Sequence, residues 1–315
     1  MELIRGLHNL RPRHRGCVAT IGAFDGVHLG HQAVLGYLLA KAEELSLPSL
    51  VIVFEPLPRE YFSPLQAPAR LMSFREKFRA MEALGVDRIL RIRFTPDLQT
   101  MTAQQFIDEI FVTGLDAKHI VLGDDFRFGN DRDGDITLLQ EQGARYGFTA
   151  ESTPTRFSDE ERVSSTRIRQ VLEQADFTLA EKMLGRPYSI TGKVIYGRQL
   201  GRTLGTPTAN LELNRLRAPL KGVYAVRVNG AGLNSVAGVA NVGTRPTIDD
   251  SIKANLEVHM LDFDENIYGK TIEVRFLKKL RDEQKFASVE ELRQHISQDI
   301  EQARSWFNSD AGKET

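Results

Sequence analysis

Cysteine and tryptophan are almost missing from this chain: 315 residues contain one of each. A lone Cys17 excludes an intrachain disulfide. It falls in an apolar run, Cys17–Ile21, that reads as a buried strand, where a thiol packs rather than reacts. An excess of charge of either sign is also missing. The formal net charge is −1, which gives no electrostatic reason to expect nucleic acid or a membrane surface as partner. No apolar run approaches membrane-spanning length. The N-terminal Met-Glu-Leu-Ile-Arg-Gly-Leu-His lacks the continuous apolar core of a signal peptide, so a cytoplasmic location is expected. What remains is ordinary for a globular protein, with 41% hydrophobic and 26% charged residues, and the length allows two domains.

Thr20–Gln32 is the densest stretch, Thr-Ile-Gly-Ala-Phe-Asp-Gly-Val-His-Leu-Gly-His-Gln. The apolar run ahead of it predicts a strand. Behind it, Val34, Leu35, Leu38, Leu39, Ala42 and Leu45 recur with helical spacing. The stretch therefore reads as a strand–turn–helix junction, with Gly22, Gly26 and Gly30 permitting close backbone approach. A helix N-terminus after a parallel strand suits an anion. His28 and His31 can face that anion together and donate hydrogen bonds to it. Half a metal site is the other reading of His-x-x-His, and no Cys cluster or third His lies nearby in sequence to complete it.

Further apolar or alternating runs at Leu50–Phe54, Arg88–Phe94, His119–Leu122 and Phe148–Ser152 predict four more strands. Helices separate them, one opening at about Ser73 and one at the capping box Thr-Ala-Gln-Gln, 102–105. Five strands alternating with helices predict a Rossmann-like α/β domain with a parallel sheet. Two loops at strand ends invite ligand readings: the proline-rich loop at 55–64 and the polar loop Gly123–Asp135. Each reads equally as a connector or a solvated turn. Val163–Arg169, Val-Ser-Ser-Thr-Arg-Ile-Arg, opens another helix. Its Ser165 and Thr166 suit capping, and the same geometry with Arg169 suits a triphosphate.

Beyond a helix ending at Leu184 the pattern changes. Ser189–Tyr196, Val223–Asn229, Ser235–Asn241, Ala254–Leu261 and Thr271–Lys279 are strand-like, with Asn229-Gly230 as a hairpin signal. A helix returns at Val289–Trp306. A small antiparallel β-barrel with a terminal helix is expected, and the domain boundary is placed near Gly185, giving domains 1–185 and 186–315. Gly197–Gly222 has no period and reads as a functional loop without regular structure. Within it Thr208 and Asn210 offer uncharged oxygen ligands for Mg²⁺; taken alone, Thr-Ala-Asn also reads as a strand-edge turn.

Gly-Ala-Phe-Asp-Gly-Val-His-Leu-Gly-His-Gln resembles the His-x-Gly-His signature of nucleotidyltransferases, in the form found in flavin adenylyltransferases. Ser-Ser-Thr-x-x-Arg at 164–169, Asp125 and the Phe-Arg-Phe-Gly loop match the same branch in order. Gly-Arg-Thr-Leu-Gly-Thr-Pro-Thr-Ala-Asn, Lys221-Gly-Val-Tyr-Ala, Asn241-Val-Gly-Thr-Arg-Pro-Thr and Leu256-Glu-Val-His-Met-Leu-Asp-Phe-Asp are similar to blocks of riboflavin kinases. Nearly the whole chain thus resembles the bacterial bifunctional riboflavin kinase/FAD synthetases. Thr206 stands where that family usually has Phe, Ala23 replaces a common Asn, and Ile248 replaces a frequent aromatic.

The resemblance implies two ATP-dependent reactions with Mg²⁺ as cofactor: riboflavin to FMN on the C-terminal half, and FMN to FAD with release of pyrophosphate on the N-terminal half. It implies Glu257 as general base, with His28 and His31 as the catalytic pair of the other site. ATP and phosphate contacts fall on Gly22, Phe24, Ser165, Thr166, Arg169, Gly201, Arg202 and Thr208. Flavin contacts fall on Phe54, Pro56, Asp125, Phe126 and Arg245, and metal contacts on Thr208 and Asn210. The rival readings are a single-activity adenylyltransferase acting on another phosphorylated cofactor precursor, an aminoacyl-tRNA synthetase fragment, an oligonucleotide-binding barrel and a flavodoxin-type redox protein. The kinase-like blocks argue against the first, the second lacks a Lys-Met-Ser-Lys-Ser-like segment here, the third wants aromatics among basic residues, and the fourth would not consume ATP.

Overall fold

A computed structural model describes residues 1–155, 157–158, 161–197, 206–246 and 252–313. The chain divides into two compact units, the first comprising residues 1–68 and 74–164, the second 69–73 and 165–315.

The first unit is built on strands β1 (Glu2–Arg5), β2 (Val18–Ile21), β3 (Ser49–Phe54), β4 (Arg88–Ile92), β5 (His119–Gly123) and β6 (Thr149–Thr153). They form one parallel sheet in the order β1-β4-β3-β2-β5-β6. Central strands such as Leu50–Val53 are wholly buried, as expected where both faces of a parallel sheet are covered. Five strands are expected from the sequence and six are present. The sixth, β1, is a four-residue edge strand paired to β4, too short to show alternation. The order places β2 beside β5, while the chain runs from β2 to β3 on one side and from β5 to β6 on the other. Doubly wound sheets bind ligands at such a reversal, outside the carboxyl ends of the strands that flank it.

Helices α1 (Leu29–Glu44), α2 (Pro58–Phe62) and α3 (Phe74–Ala83) follow β2 and β3. Two short helices come next, α4 (Pro96–Thr100) and α5 (Ala103–Phe106), the latter running on as a π-helical turn over Ile107–Gly114. The expected capping box is present at the start of α5. Gln105 N–H donates to Thr102 Oγ1 at 3.2 Å, and Thr102 N–H donates to Gln105 Oε1 at 2.9 Å. Phe106, Ile107, Ile110 and Phe111 turn inward onto the sheet, as the sequence predicts. Helix α6 (Ile136–Tyr146) precedes β6, and β7 (Phe157–Ser158) and β8 (Glu161–Arg162) make a short ribbon.

The second unit begins with α7 (Ser165–Glu173) and α8 (Phe177–Leu184). Its remaining strands are β9 (Ser189–Ile195), β10 (Ala209–Glu212), β11 (Gly222–Gly230), β12 (Leu233–Pro246), β13 (Ile252–Met260) and β14 (Thr271–Arg281). They close an antiparallel barrel in the order β10-β13-β12-β11-β14-β9. Two expectations are corrected here. Gly197–Gly222 is not wholly irregular, because Ala209–Glu212 forms β10 and pairs with both β9 and β13. The hairpin turn also lies past Asn229-Gly230. Gly230 pairs with Leu233, and Ala231 and Gly232 turn the chain at φ 58° and 92°, the left-handed pair of a type I′ turn.

The terminal helix α9 (Val289–Asn308) seats Ile300, Ala303 and Trp306 against Val223, Ala225 and Val239 of the barrel. It is tied down by charge as well as by apolar packing. Arg281 donates to both oxygens of the buried Asp299 carboxylate at 2.8 Å each, a bidentate fit that restores what desolvation costs. Asp299→Ala is expected to lower the stability of the protein by about 2 kcal/mol through the unpaired guanidinium left behind, read as a lowered midpoint in urea denaturation.

Candidate active sites

In the first unit, β2 ends at Ile21 and the chain turns through Gly22–Val27 into α1. The turn is strained, with Phe24 at φ 47° and Val27 at φ 39°, a region that non-glycine residues rarely occupy and that costs energy to hold. Gly22 leaves room for the turn: a Cβ there would lie 3.0 Å from the Phe24 ring, which would have to give by a few tenths of an ångström. His28 is the N-cap of α1, and its Nδ1 accepts from the His31 N–H at 3.3 Å. An imidazole whose Nδ1 accepts carries its proton on Nε2 when neutral, so His28 presents an Nε2–H donor.

His31 stacks on His28 with ring centroids 3.6 Å apart and planes 18° apart, and meets Phe24 edge-on at 5.2 Å. Its Nδ1 is buried without a hydrogen-bond partner. Burial, first of all, and then the neighbouring charges of His28 and Lys77 hold its pKa well below the ordinary 6.5. The pair thus sets ring N–H groups, that of His31 held neutral, at a helix N-terminus where backbone dipoles already favour an anion.

The other expected residues of this unit end the neighbouring strands. Phe54 closes β3 and packs edge-on to Phe94 and Phe106 at 5.7 and 6.3 Å. Pro56 follows through a cis Glu55–Pro56 peptide. Asp125 and Phe126 follow β5. Asp125 is exposed and paired with Arg162, and Phe126 stacks on Phe128 at 6.3 Å. Ser165, Thr166 and Arg169 lie on α7 and belong to the second unit. Arg169 Nε donates to Ala69 O at 2.6 Å.

In the barrel, Glu257 on β13 stands directly opposite Asn210 on β10 and Asn241 on β12. Opposed residues of an antiparallel pair share a face, so a carboxylate and two amides converge on one patch. Asn255 Nδ2 donates to Glu257 Oε1 at 3.0 Å and fixes its rotamer. Asn210 is buried, and its Oδ1 has no hydrogen-bond partner. Gly197 makes room for it, since a Cβ at 197 would lie 2.4 Å from Asn210 Nδ2. Thr208, half-buried, precedes β10 by one residue. The residue before it is tied down by His259, whose Nδ1 donates to Pro207 O at 2.9 Å. The backbone of Arg245 lies on β12 opposite Lys253, and its side chain is outside the described set, as are Gly201, Arg202 and Ile248.

The FAD synthetase family matches residues 10–167, and the riboflavin kinase family matches residues 184–307. A bifunctional riboflavin kinase/FMN adenylyltransferase from Pseudomonas fluorescens is 53% identical over 305 residues, covering 97% of each chain. The chain belongs to the bifunctional riboflavin kinase/FMN adenylyltransferase family. The enzyme of that name from Escherichia coli (strain K12) is 48% identical over 308 residues, 98% of each chain. A solved structure described as a macrolide-efflux protein from Streptococcus pneumoniae matches with a TM-score of 0.75 and 30% identity, over 97% of this chain and 100% of that one. Among the described residues no helix is long and apolar enough to cross a membrane.

The parallel-sheet half therefore converts FMN to FAD, and the barrel half phosphorylates riboflavin. Lys77, Asn255 and His259 bond to Ala23, Glu257 and Pro207 without having been singled out from the sequence. Lys77 sits in the charged run Phe-Arg-Glu-Lys-Phe-Arg, where a lysine reads as solvent-facing. His259 lies two residues past Glu257 on the same strand, and that alternation is the one signal that points to it.

The depressed His31 pKa has a consequence for stability. An unfolded imidazole takes up a proton near 6.5, while folded His31 resists it until well below. As pH falls through 6.5 the unfolded state binds protons first and the folded state loses stability. His119, lowered chiefly by burial, acts in the same sense. Melting temperature is expected to fall between pH 7 and pH 5, and His31→Gln to flatten that fall relative to the parent chain.

Proposed function

We propose that the two activities divide between the residue sets described above, with the functional boundary near Gly185. The observation that carries this is the opposed register of Glu257 and Asn210 on the barrel. It puts a base-competent carboxylate beside a buried, partnerless amide oxygen. Glu257 accepts the proton of the terminal ribityl hydroxyl of riboflavin as that oxygen attacks the γ-phosphorus of ATP. The P–O bond to ADP breaks, and FMN and ADP result.

Mg²⁺ fits Thr208 and Asn210 as ligands, because hard cations take uncharged oxygens and Asn210 Oδ1 is an acceptor without a partner. Bound there, it would neutralise phosphate charge. Among the described residues no cluster of three or more His, Cys, Asp or Glu offers a competing site. Gly201 and Arg202 are proposed to line the ATP phosphates, and Arg245 the flavin.

In the first unit the nucleophile is the FMN phosphate, already an anion, so no base is required. Its oxygen attacks the α-phosphorus of a second ATP, the bond to the β-phosphate breaks, and pyrophosphate leaves. His28 and His31 donate to oxygens on that phosphorus as charge builds. Gly22 and Phe24 shape the turn, and Phe54, Pro56, Asp125 and Phe126 contact the flavin; Ser165, Thr166 and Arg169 are assigned to ATP phosphates on the family motif alone.

Glu257→Ala is expected to slow FMN formation by at least about 100-fold while leaving conversion of supplied FMN to FAD intact. His28→Ala with His31→Ala is expected to do the reverse and accumulate FMN. Both are read by separating the flavins after incubation with riboflavin, ATP and Mg²⁺. A folded variant of either kind that lost both activities would contradict the two-site assignment.

A further inference from the structure

Lys77 on α3 is 1% exposed. Lysine is almost never buried so completely without a specific task for its charge. Its Nζ donates to Ala23 O at 2.6 Å. Ala23 is in the strained turn between β2 and α1, next to Phe24 at φ 47°. Phe24 in turn meets His31 edge-on, and His31 stacks on His28. One buried ammonium thus grips the carbonyl at the start of a chain of contacts that ends on the histidine pair. The chemistry assigned above does not use this group.

We propose that Lys77 is a positioning residue of the FMN adenylylation site, which holds the Gly22–Val27 turn in its strained form and supplies fixed positive charge beneath the histidine pair. This rests on the assignment of His28 and His31 to that reaction. Two effects follow from one group. The hydrogen bond to Ala23 O keeps the turn, and with it the helix N-terminus, in the conformation that receives phosphate. The charge disfavours a second cation next to it, so His31 stays neutral in the working pH range. His28, stacked on His31, acts on it in the same direction. The turn itself contributes the buried carboxyl of Asp25. A fixed ammonium so close to an anion site also favours the negative charge that accumulates as pyrophosphate departs.

The test uses the full chain with Lys77→Met, which keeps length and removes charge, and Lys77→Arg, which keeps charge and alters the donor. Lys77→Met is expected to lower kcat for FAD formation by about 100-fold with KM for FMN changed far less. The acid limb of its pH profile should move to higher pH, because His31 then protonates more readily. Lys77→Arg should keep the acid limb in place. Riboflavin phosphorylation by the barrel and the melting temperature, measured on the same samples, report whether each variant is folded. A folded Lys77→Met with parental kcat, or an acid limb that moves equally in Lys77→Arg, overturns the proposal. The His28→Ala, His31→Ala double variant separates the two levels. If it still makes FAD, the site assignment and the role of Lys77 fall together. If it does not, while Lys77→Met is normal, only the role of Lys77 falls.

Discussion

The contact between His28 Nδ1 and the His31 N–H is the smallest element on which the first unit's chemistry turns. A helix N-terminus must satisfy its free N–H groups, and a serine or aspartate normally does so. Using an imidazole instead fixes which nitrogen accepts and therefore where the remaining proton points. It also places the ring over the first helical turn, where His31 stacks on it at 3.6 Å. Capping, tautomer choice and donor direction thus become one geometric fact. The strained φ values at Phe24 and Val27 are the cost of bringing β2 into α1 at that angle. Gly30 serves the same end: a Cβ there would sit 3.2 Å from the His28 ring and 3.4 Å from Val163 O.

In the barrel the corresponding constraint is closure. Strand β10 is only four residues long, yet without it the sheet would end at β9 and β13 with open edges. Closing the barrel with Ala209–Glu212 has a chemical by-product, because register puts Asn210 opposite Glu257. The barrel strands are hydrogen-bonded on both sides, so the positions of these side chains are set by the ladder. Sites built on such elements are more precise than sites on free loops. Gly197 completes the arrangement by leaving space for the Asn210 amide.

How legible this was differs by element. The α/β alternation and the change of pattern past Leu184 are written in local periodicity. β1 and β10 were not legible, being four residues each and defined by distant partners. The type I′ turn was shifted because Ala231, an unfavoured residue at positive φ, takes the place expected of Asn-Gly. Among site residues, His28 and His31 stand out by spacing and Glu257 only by resemblance. Lys77 gave no signal, since its burial is a tertiary property and its sequence neighbours are charged. The stacking of the two histidines was likewise beyond a reading of spacing, which places residues on one face without orienting their rings.

The division of chemistry between the two scaffolds has a physical basis. Phosphorylating riboflavin begins with a neutral hydroxyl, which must lose a proton, so a carboxylate on a rigid strand is the group that helps. Making FAD begins with a phosphate that is already ionised, and a base would add nothing. There the difficulty is repulsion between two anions, and on the proposed assignment ring N–H donors at a helix N-terminus would address that directly. A protonated histidine pair would bind phosphate more tightly in the ground state as well as the transition state, which lowers KM without raising kcat. With His31 kept neutral by burial and by neighbouring charge, the proposed assignment would reserve the gain for the moment when charge develops.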